Sequence, residues 1–251
     1  MSDYDSWAAE YDALALEMPE DVPYYVDLVR EADGPVVELA VGTGRVAIAA
    51  ARATGKLIIG IDSSREMLEI ARKRAAGLPL ELRLGDMREL ELEVPAALIY
   101  VPGRSLLHLR GWREKRQVFE RVAASLQPGG RFAFNAYAFS HVLAAQIDGK
   151  RVERAGLVFV NHYAPADNRV DMVRDDGATI RLWWATRSEW HGLLEVAGLE
   201  LEAEYGSFDR RPLEDDSREF VFVARKPARA AEGGRSSGRA SAAPRATLPA
   251  S

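Results

Sequence analysis

Short apolar runs and amphipathic segments alternate along the chain, which predicts β-strands separated by helices. Pro35–Val41 is a short apolar run, typical of a strand buried on both faces of a parallel sheet. An alanine-rich helix is predicted over Arg45–Thr54, and a second buried strand over Lys56–Ile61. A glycine turn separates the first strand from the helix, so this segment is predicted to be a β-α-β unit.

The same alternation continues to about residue 137. Ser63 and Glu66 have capping-box spacing, which predicts the start of a helix with one apolar face. Another amphipathic helix is predicted over Trp112–Leu126. The remaining strands of this region are predicted at Leu80–Leu84, Ala96–Val101 and Arg131–Tyr137. Five strands separated largely by helices indicate a doubly wound α/β sheet.

Residues 151–185 follow a β-rich pattern interrupted by turn residues, which predicts an antiparallel insertion after the fifth strand. A helix is predicted from Thr186 to Ala197, because Thr186 and Glu189 have capping-box spacing. Two closing strands would bring the fold to a doubly wound, mostly parallel seven-strand α/β sheet. The strands predicted in these two regions are Leu157–Val160, Arg169–Val173, Thr179–Trp184, Leu199–Tyr205 and Glu219–Ala224.

Composition narrows the class of protein. A length of 251 residues suits one α/β domain with an insertion, and a net charge of −5 argues against nucleic acid as the main partner. The absence of cysteine excludes disulfides, thiolate metal ligands and cysteine nucleophiles. We expect a cytoplasmic protein without a membrane segment, since neither a secretion signal nor a long apolar run is present. Residues 227–251 contain no aromatic side chain and are predicted to be a disordered tail.

The glycine turn is the first candidate for chemistry. Gly42–Ala47 fits the pattern G-x-G-x-x-A, and Asp62 comes 20 residues after Gly42. Glycines let a ligand approach the backbone, and a carboxylate at the end of the second strand accepts hydrogen bonds from ribose hydroxyls. Any nucleoside cofactor can use this arrangement, so the motif leaves NAD and other adenosine ligands open.

Three further segments resemble the class I S-adenosylmethionine-dependent methyltransferases, and the resemblance extends over most of residues 1–225. Glu38–Gly44 is similar to the first motif of that family, although Ala40 replaces its usual first glycine. Gly85–Met87 follows the third strand as the adenine-binding motif of the family does. Leu126–Arg131 resembles the loop before the fifth strand.

The resemblance implies S-adenosylmethionine as cofactor and S-adenosylhomocysteine as product. Glu38 would hold the ammonium of the methionine end, and Asp86 would accept a hydrogen bond from the adenine amine. The pairs that begin with Tyr4 and Tyr11 resemble the N-terminal helices that close over the cofactor, here residues 1–34. The full implied set comprises Tyr11, Glu38, Ala40, Gly42, Gly44, Asp62, Ser63, Met67, Gly85, Asp86, Met87 and Val101.

Acceptor residues are less well defined. The segment after Val101 leaves the fourth strand at its carboxyl end, where ligands bind in open α/β sheets, and it resembles the family's fourth motif. Each polar or aromatic candidate in or beyond it also fits a packing or solvent-exposed role. The candidate catalytic residues are His108, Tyr137 and His162, and the candidate substrate contacts are Arg104, Tyr137, His162 and Trp183, with Trp184 as a further aromatic candidate.

These observations favour a methyltransferase domain over residues 35–226, with its insertion at about 150–185. It would transfer a methyl group to a nitrogen, oxygen or carboxylate of a small molecule. An NAD(P)-dependent oxidoreductase is one alternative, although no tyrosine is followed four residues later by lysine. A non-catalytic S-adenosylmethionine-binding protein is the other. The four histidines are dispersed, so no metal site is predicted, and a homodimer is left open.

Overall fold

The structure is a computed structural model that describes residues 20–228. Its helices are α1 (Asp21–Glu31), α2 (Arg45–Thr54), α3 (Arg65–Arg74), α4 (Gly111–Ser125), α5 (His141–Ile147) and α6 (Arg187–Val196). Its strands are β1 (Val36–Leu39), β2 (Ile58–Asp62), β3 (Leu80–Leu84), β4 (Ala96–Val101), β5 (Leu126–Tyr137), β6 (Arg151–Arg154), β7 (Leu157–Ala164), β8 (Arg169–Arg174), β9 (Thr179–Trp183), β10 (Glu200–Tyr205) and β11 (Glu219–Arg225).

Seven of these strands form a central sheet in the order β10-β11-β5-β4-β1-β2-β3. The pairs β1–β2, β1–β4, β2–β3 and β4–β5 are parallel, whereas β11 is antiparallel to β5 and to β10. Every residue of β1 and β4 is buried, as expected of central strands covered on both faces. The predicted doubly wound, mostly parallel seven-strand fold is therefore confirmed.

Two apolar layers hold helices against the sheet. On one face, an aromatic cluster joins α4 and α6 to the strands, through Phe119, Phe132, Phe134, Trp190 and Phe222. On the other face, α1 and α2 pack on the sheet together with Leu68 of α3. Large aromatic side chains bury much area each, so these layers fix the strand ends that carry the site.

Four strands form a second sheet, in the order β6-β7-β8-β9, with every neighbouring pair antiparallel. It lies in the chain between β5 and α6, at the position predicted for the insertion. Phe159 and Ile180 are buried in a small apolar cluster of this sheet. The insertion thus has a core of its own.

Several local expectations were wrong. The cap of α3 is Ser64, whose hydroxyl accepts from the Met67 backbone N–H at 3.2 Å, so Ser63 and Glu66 do not form the capping box. The fifth strand begins at Leu126 rather than Arg131, with a register shift opposite Ala96 and Leu98. Strand β6 and helix α5 were not predicted. The capping box at Thr186 and Glu189 is confirmed.

Other expectations concern residues that the structure does not describe. Tyr4, Tyr11 and most of the predicted lid precede residue 20, and the predicted tail extends beyond residue 228. Within residues 20–228, no helix is long and apolar enough to span a membrane. The same range holds no group of three or more acidic or histidine side chains arranged to bind a metal ion.

Candidate active site

The turn between β1 and α2 brings backbone amides to the carboxyl end of the central strands. Ala40, Gly42 and Gly44 all have positive φ, at 54°, 55° and 85°. The φ of Gly44 favours glycine, and a Cβ there would also displace the Ile48 side chain, whose Cδ1 would lie 2.8 Å away. Ala40 adopts a left-handed conformation that costs an alanine roughly 1–2 kcal/mol.

Asp62 ends β2 beside this turn and has a fixed orientation. Its two carboxylate oxygens accept hydrogen bonds from the backbone N–H groups of Gly42 and Ser64, both at 2.8 Å. An ionised carboxylate is an acceptor with about four lone-pair positions in all. The carboxylate is thus set to accept hydrogen bonds from a diol.

A cavity of about 320 Å³, here called the turn cavity, opens above these strand ends. It brings together eight of the twelve residues predicted to bind the cofactor, and also Trp183 and His108. Those eight are Ala40, Gly42, Asp62, Ser63, Met67, Gly85, Asp86 and Met87.

Three other predicted cofactor residues do not line the turn cavity. Gly44 shapes the turn, Val101 is fully buried in β4, and Glu38 is fully buried in β1 beneath the turn. Oε2 of Glu38 has no hydrogen-bond partner among the residues that the structure describes. Burial raises the pKa of Glu38 to about 8, although the Tyr100 hydroxyl and the Arg45 guanidinium each lower it in part.

Asp86 is held by a residue that the sequence did not single out. The Arg88 side chain donates to both carboxylate oxygens of Asp86, with Nε 3.0 Å from each, and the Arg88 backbone N–H donates at 2.9 Å. These hydrogen bonds outweigh desolvation and lower the pKa of Asp86. Arg88 itself lines the turn cavity, so ligands there meet an ion pair rather than a lone carboxylate.

A larger cavity of about 690 Å³, here called the insertion cavity, lies between the end of β5, helix α5 and the second sheet. Three sequence candidates line it, namely Arg104, His108 and Tyr137. His108 lines both cavities, at the end of a short 3₁₀ helix that follows β4. The two spaces therefore meet at His108.

An ion pair fixes Arg104 at the edge of the insertion cavity. Its Nη2 and Nε donate to Oε2 of Glu219, at 2.6 and 2.9 Å. Asn135 donates to the same carboxylate at 2.6 Å and accepts from the Tyr25 hydroxyl at 2.9 Å. Burial raises the pKa of Glu219, and Arg104 lowers it in part. The network links α1, β5 and β11 around the acceptor side of the site.

Two candidates lie elsewhere. His162 is exposed and does not line either cavity, because its neighbours Asn161 and Tyr163 take the inward positions of β7. Trp184 is buried and stacks on Phe139, with ring centroids 3.9 Å apart. It packs the base of the insertion, and neither cavity includes it.

Known proteins similar to this chain have a function that agrees with the geometry of the site. Residues 36–130 match the family model of a methyltransferase domain. The cypemycin N-terminal methyltransferase of a Streptomyces species is 26% identical over 236 residues, covering 88% of this chain and 96% of that protein. Residues 36–130 are therefore similar to a methyltransferase domain, and these matches support a class I S-adenosylmethionine-dependent methyltransferase.

Solved structures agree with this assignment. The CcbJ methyltransferase of Streptomyces caelestis is 28% identical, with a TM-score of 0.70 over 83% of this chain and 89% of that one. An S-adenosylmethionine-dependent methyltransferase from Clostridium acetobutylicum shares the fold at 18% identity, with a TM-score of 0.73 over 90% and 100% of the two chains. S-adenosylmethionine is therefore the cofactor, and the oxidoreductase and non-catalytic alternatives are set aside.

The methyltransferase also has functional candidates that sequence reasoning missed. Arg45 donates through both terminal nitrogens to the fully buried Asp21, at 2.6 Å each, and so ties α1 to the start of α2. Asn161 and Tyr163 line the insertion cavity from β7. The alternation of β7 predicts that these two residues share a face, but it does not say which face meets a ligand.

Proposed function

We propose that the enzyme transfers the methyl group of S-adenosylmethionine to an amine nitrogen of a small molecule held in the insertion cavity. The observation that carries this proposal is the meeting of the two cavities at His108. One space offers groups suited to a nucleoside, and the other, of about 690 Å³, has the size of a small-molecule site.

The turn cavity fits S-adenosylmethionine on the chemistry of its donors. Asp62, whose carboxylate the turn already orients, would accept hydrogen bonds from the ribose hydroxyls. Met67 and Met87 would contact the adenine ring, and Asp86 would bind its amine. The unpartnered Oε2 of Glu38, buried beneath the turn, would supply on ionisation the negative charge that the methionine ammonium requires. Bound there, the cofactor supplies an activated methyl group that needs little further catalysis.

The residues on the acceptor side bind and orient the nucleophile. Alignment of the amine with the methyl group supplies most of the rate enhancement, since the reaction is a direct displacement. His108 borders both cavities and accepts the proton that the amine loses on methylation. Arg104 and Tyr137 shape the acceptor side of the same junction, with the guanidinium 6.0 Å from the tyrosine ring centroid.

A nitrogen acceptor is favoured over an oxygen by one comparison. The Streptomyces relative that aligns over 88% of this chain is named for methylation at an N-terminus, which is an amine. The size of the insertion cavity, about 690 Å³, favours a small acceptor over a folded protein or RNA.

The proposal is tested by incubating the enzyme and S-adenosylmethionine with panels of small amines, alcohols and carboxylic acids. We expect methylated product from amines, detected by mass, with matching release of S-adenosylhomocysteine. Products from alcohols or acids alone would overturn the amine assignment, and no product from any panel would overturn the small-molecule assignment.

His108→Ala should lower kcat on an amine substrate by on the order of 10²-fold, with S-adenosylhomocysteine affinity retained, because a proton acceptor is lost. His162→Ala is the matched control, since this histidine is exposed on the outer side of β7. Equal activity of the two variants would remove His108 from the proposed role.

A further inference from the structure

The insertion cavity contains two buried polar groups whose hydrogen-bonding capacity the catalytic proposal does not use. Asn161 of β7 is 4% exposed, and its Oδ1 has no hydrogen-bond partner within the described part of the chain. The hydroxyl of Tyr137, at the end of β5, is likewise buried and without a partner there. Both residues line this cavity.

Unpartnered buried polar groups are uncommon in folded proteins, because each loses its hydrogen bonds to water without replacement. The protein satisfies a comparable residue nearby. Asn135 is fully buried, and its carboxamide bonds to Tyr25 and Glu219. The two residues are of the same type, so the missing hydrogen-bond partner of Asn161 Oδ1 is explained by the position of Asn161 at a cavity.

The surroundings of Asn161 define what such a group can recognise. Apolar side chains of the insertion sheet line the same wall, namely Val170, Met172, Ile180 and Leu182. Both unpartnered groups are neutral, and each can donate and accept a hydrogen bond. Burial raises the pKa of Tyr137 well above its ordinary value, so its hydroxyl stays protonated. A neutral group with the same dual capacity, such as a hydroxyl or a carboxamide, complements this pair.

We propose that Asn161 and Tyr137 are specificity-determining residues that bind a hydroxyl or carboxamide group carried on the apolar body of the acceptor. This inference rests on the proposed function, because it places the acceptor in the insertion cavity. A site built to hydrogen-bond a polar group rejects analogues that lack the group, since its own buried atoms are then left unpaired.

The first test uses protein stability and needs no acceptor. Asn161→Leu should unfold at the same or a higher temperature than the wild type, because it removes an unsatisfied buried amide from an apolar wall. Asn135→Leu, the matched control, should unfold at a lower temperature, since it removes bonds to Tyr25 and Glu219. A large fall in melting temperature for Asn161→Leu would show a structural role and overturn the proposal.

The second test uses a matched pair of probes, trans-4-aminocyclohexanol and cyclohexylamine. Ligand-observed NMR with the S-adenosylhomocysteine-bound enzyme should show at least fivefold tighter binding of the hydroxylated amine. Asn161→Leu and Tyr137→Phe should each reduce this preference, whereas His162→Ala, on the outer side of the same strand, should keep it. A wild-type enzyme without the preference, or an Asn161→Leu variant that retains it, would overturn the proposal.

Turnover of the same two amines separates this inference from the proposed function. If the hydroxylated amine binds with the expected preference but neither amine is methylated, the amine assignment fails and the recognition pair stands. If both amines are methylated with equal KM, the amine assignment stands and the recognition pair fails.

Discussion

Burial changes the pKa of Glu38, the residue proposed to bind the methionine ammonium. Its carboxyl group is 1% exposed, and burial raises its pKa from 4.5 to about 8. The folded chain therefore keeps a proton between these two pH values that the unfolded chain releases. The contribution of Glu38 to stability is fully present below pH 4.5 and is lost as the pH rises through about 8.

Cofactor affinity should follow this ionisation. An ammonium group binds the ionised carboxylate, so S-adenosylhomocysteine should bind about tenfold more weakly for each pH unit below 8, with proton release on binding. Calorimetric titration at pH 6, 7 and 8, in two buffers of different ionisation enthalpy, measures both quantities. In Glu38→Gln, affinity at pH 8 should fall and the pH dependence should disappear.

5′-Methylthioadenosine serves as the control ligand, because it lacks the amino-acid end and so should bind with little dependence on pH. Retention of the full pH dependence in Glu38→Gln would show that another group titrates.

Local spacing predicted the turn cavity better than the insertion cavity. Gly42, Asp62 and Asp86 follow successive strands, so their meeting at one sheet edge follows from the pattern alone. The pairing of Arg104 with Glu219 joins residues 115 positions apart, and no local pattern contains that information. For Asn161, the alternation of the strand predicts which residues share a face with it. Only the packing of the insertion shows that this face lines the cavity.

At the scale of elements, helix α1 depends on one ion pair for its position over the glycine turn. Asp21 is fully buried and Arg45 is 17% exposed, and the pair joins α1 to α2. Removing one partner leaves the other charge poorly solvated. Helix α1 also carries Tyr25, whose hydroxyl reaches Asn135 of β5.

Asp21→Ala should therefore destabilise the protein by about 3 kcal/mol and weaken S-adenosylhomocysteine binding. Asp27→Ala on the same helix is the matched control. Its pair with Arg30 is more than half exposed at both ends, so the change should be about 0.5 kcal/mol or less. Urea denaturation and calorimetric titration provide the measurements, and equal effects of the two variants would contradict the anchoring role.

Buried positions explain part of what the sequence predicted well. Helix α2 and strand β4 have the predicted bounds and several buried residues, whereas β3 has the predicted bounds although none of its residues is buried. The missed elements are largely exposed: Ala144 is the one buried residue of α5, and β6 has none. An exposed element has no apolar period, so its formation depends on neighbouring strands and loops rather than on its own residues.

For the whole molecule, cofactor binding is expected to stabilise the folded state through linkage. At a concentration of S-adenosylhomocysteine 100 times its Kd, the gain is about 2.7 kcal/mol. For a chain of this length, that corresponds to a rise in melting temperature of roughly 5–10 °C. Scanning calorimetry with S-adenosylhomocysteine and with NAD measures the effect. NAD should produce little change, and a comparable shift with NAD would contradict the selectivity of the turn cavity.

The insertion sheet pairs its strands with one another, and within residues 20–228 none of them pairs with a strand of the central sheet. Its backbone bonds are thus complete without those of the strands that carry the glycine turn and Asp62. Substitutions on β7 and β8, which do not line the turn cavity, can accumulate over generations without disturbing the nucleoside-binding half. Mutation or recombination within one contiguous segment of the gene can therefore change which acceptor the enzyme methylates. The methyl donor stays the same.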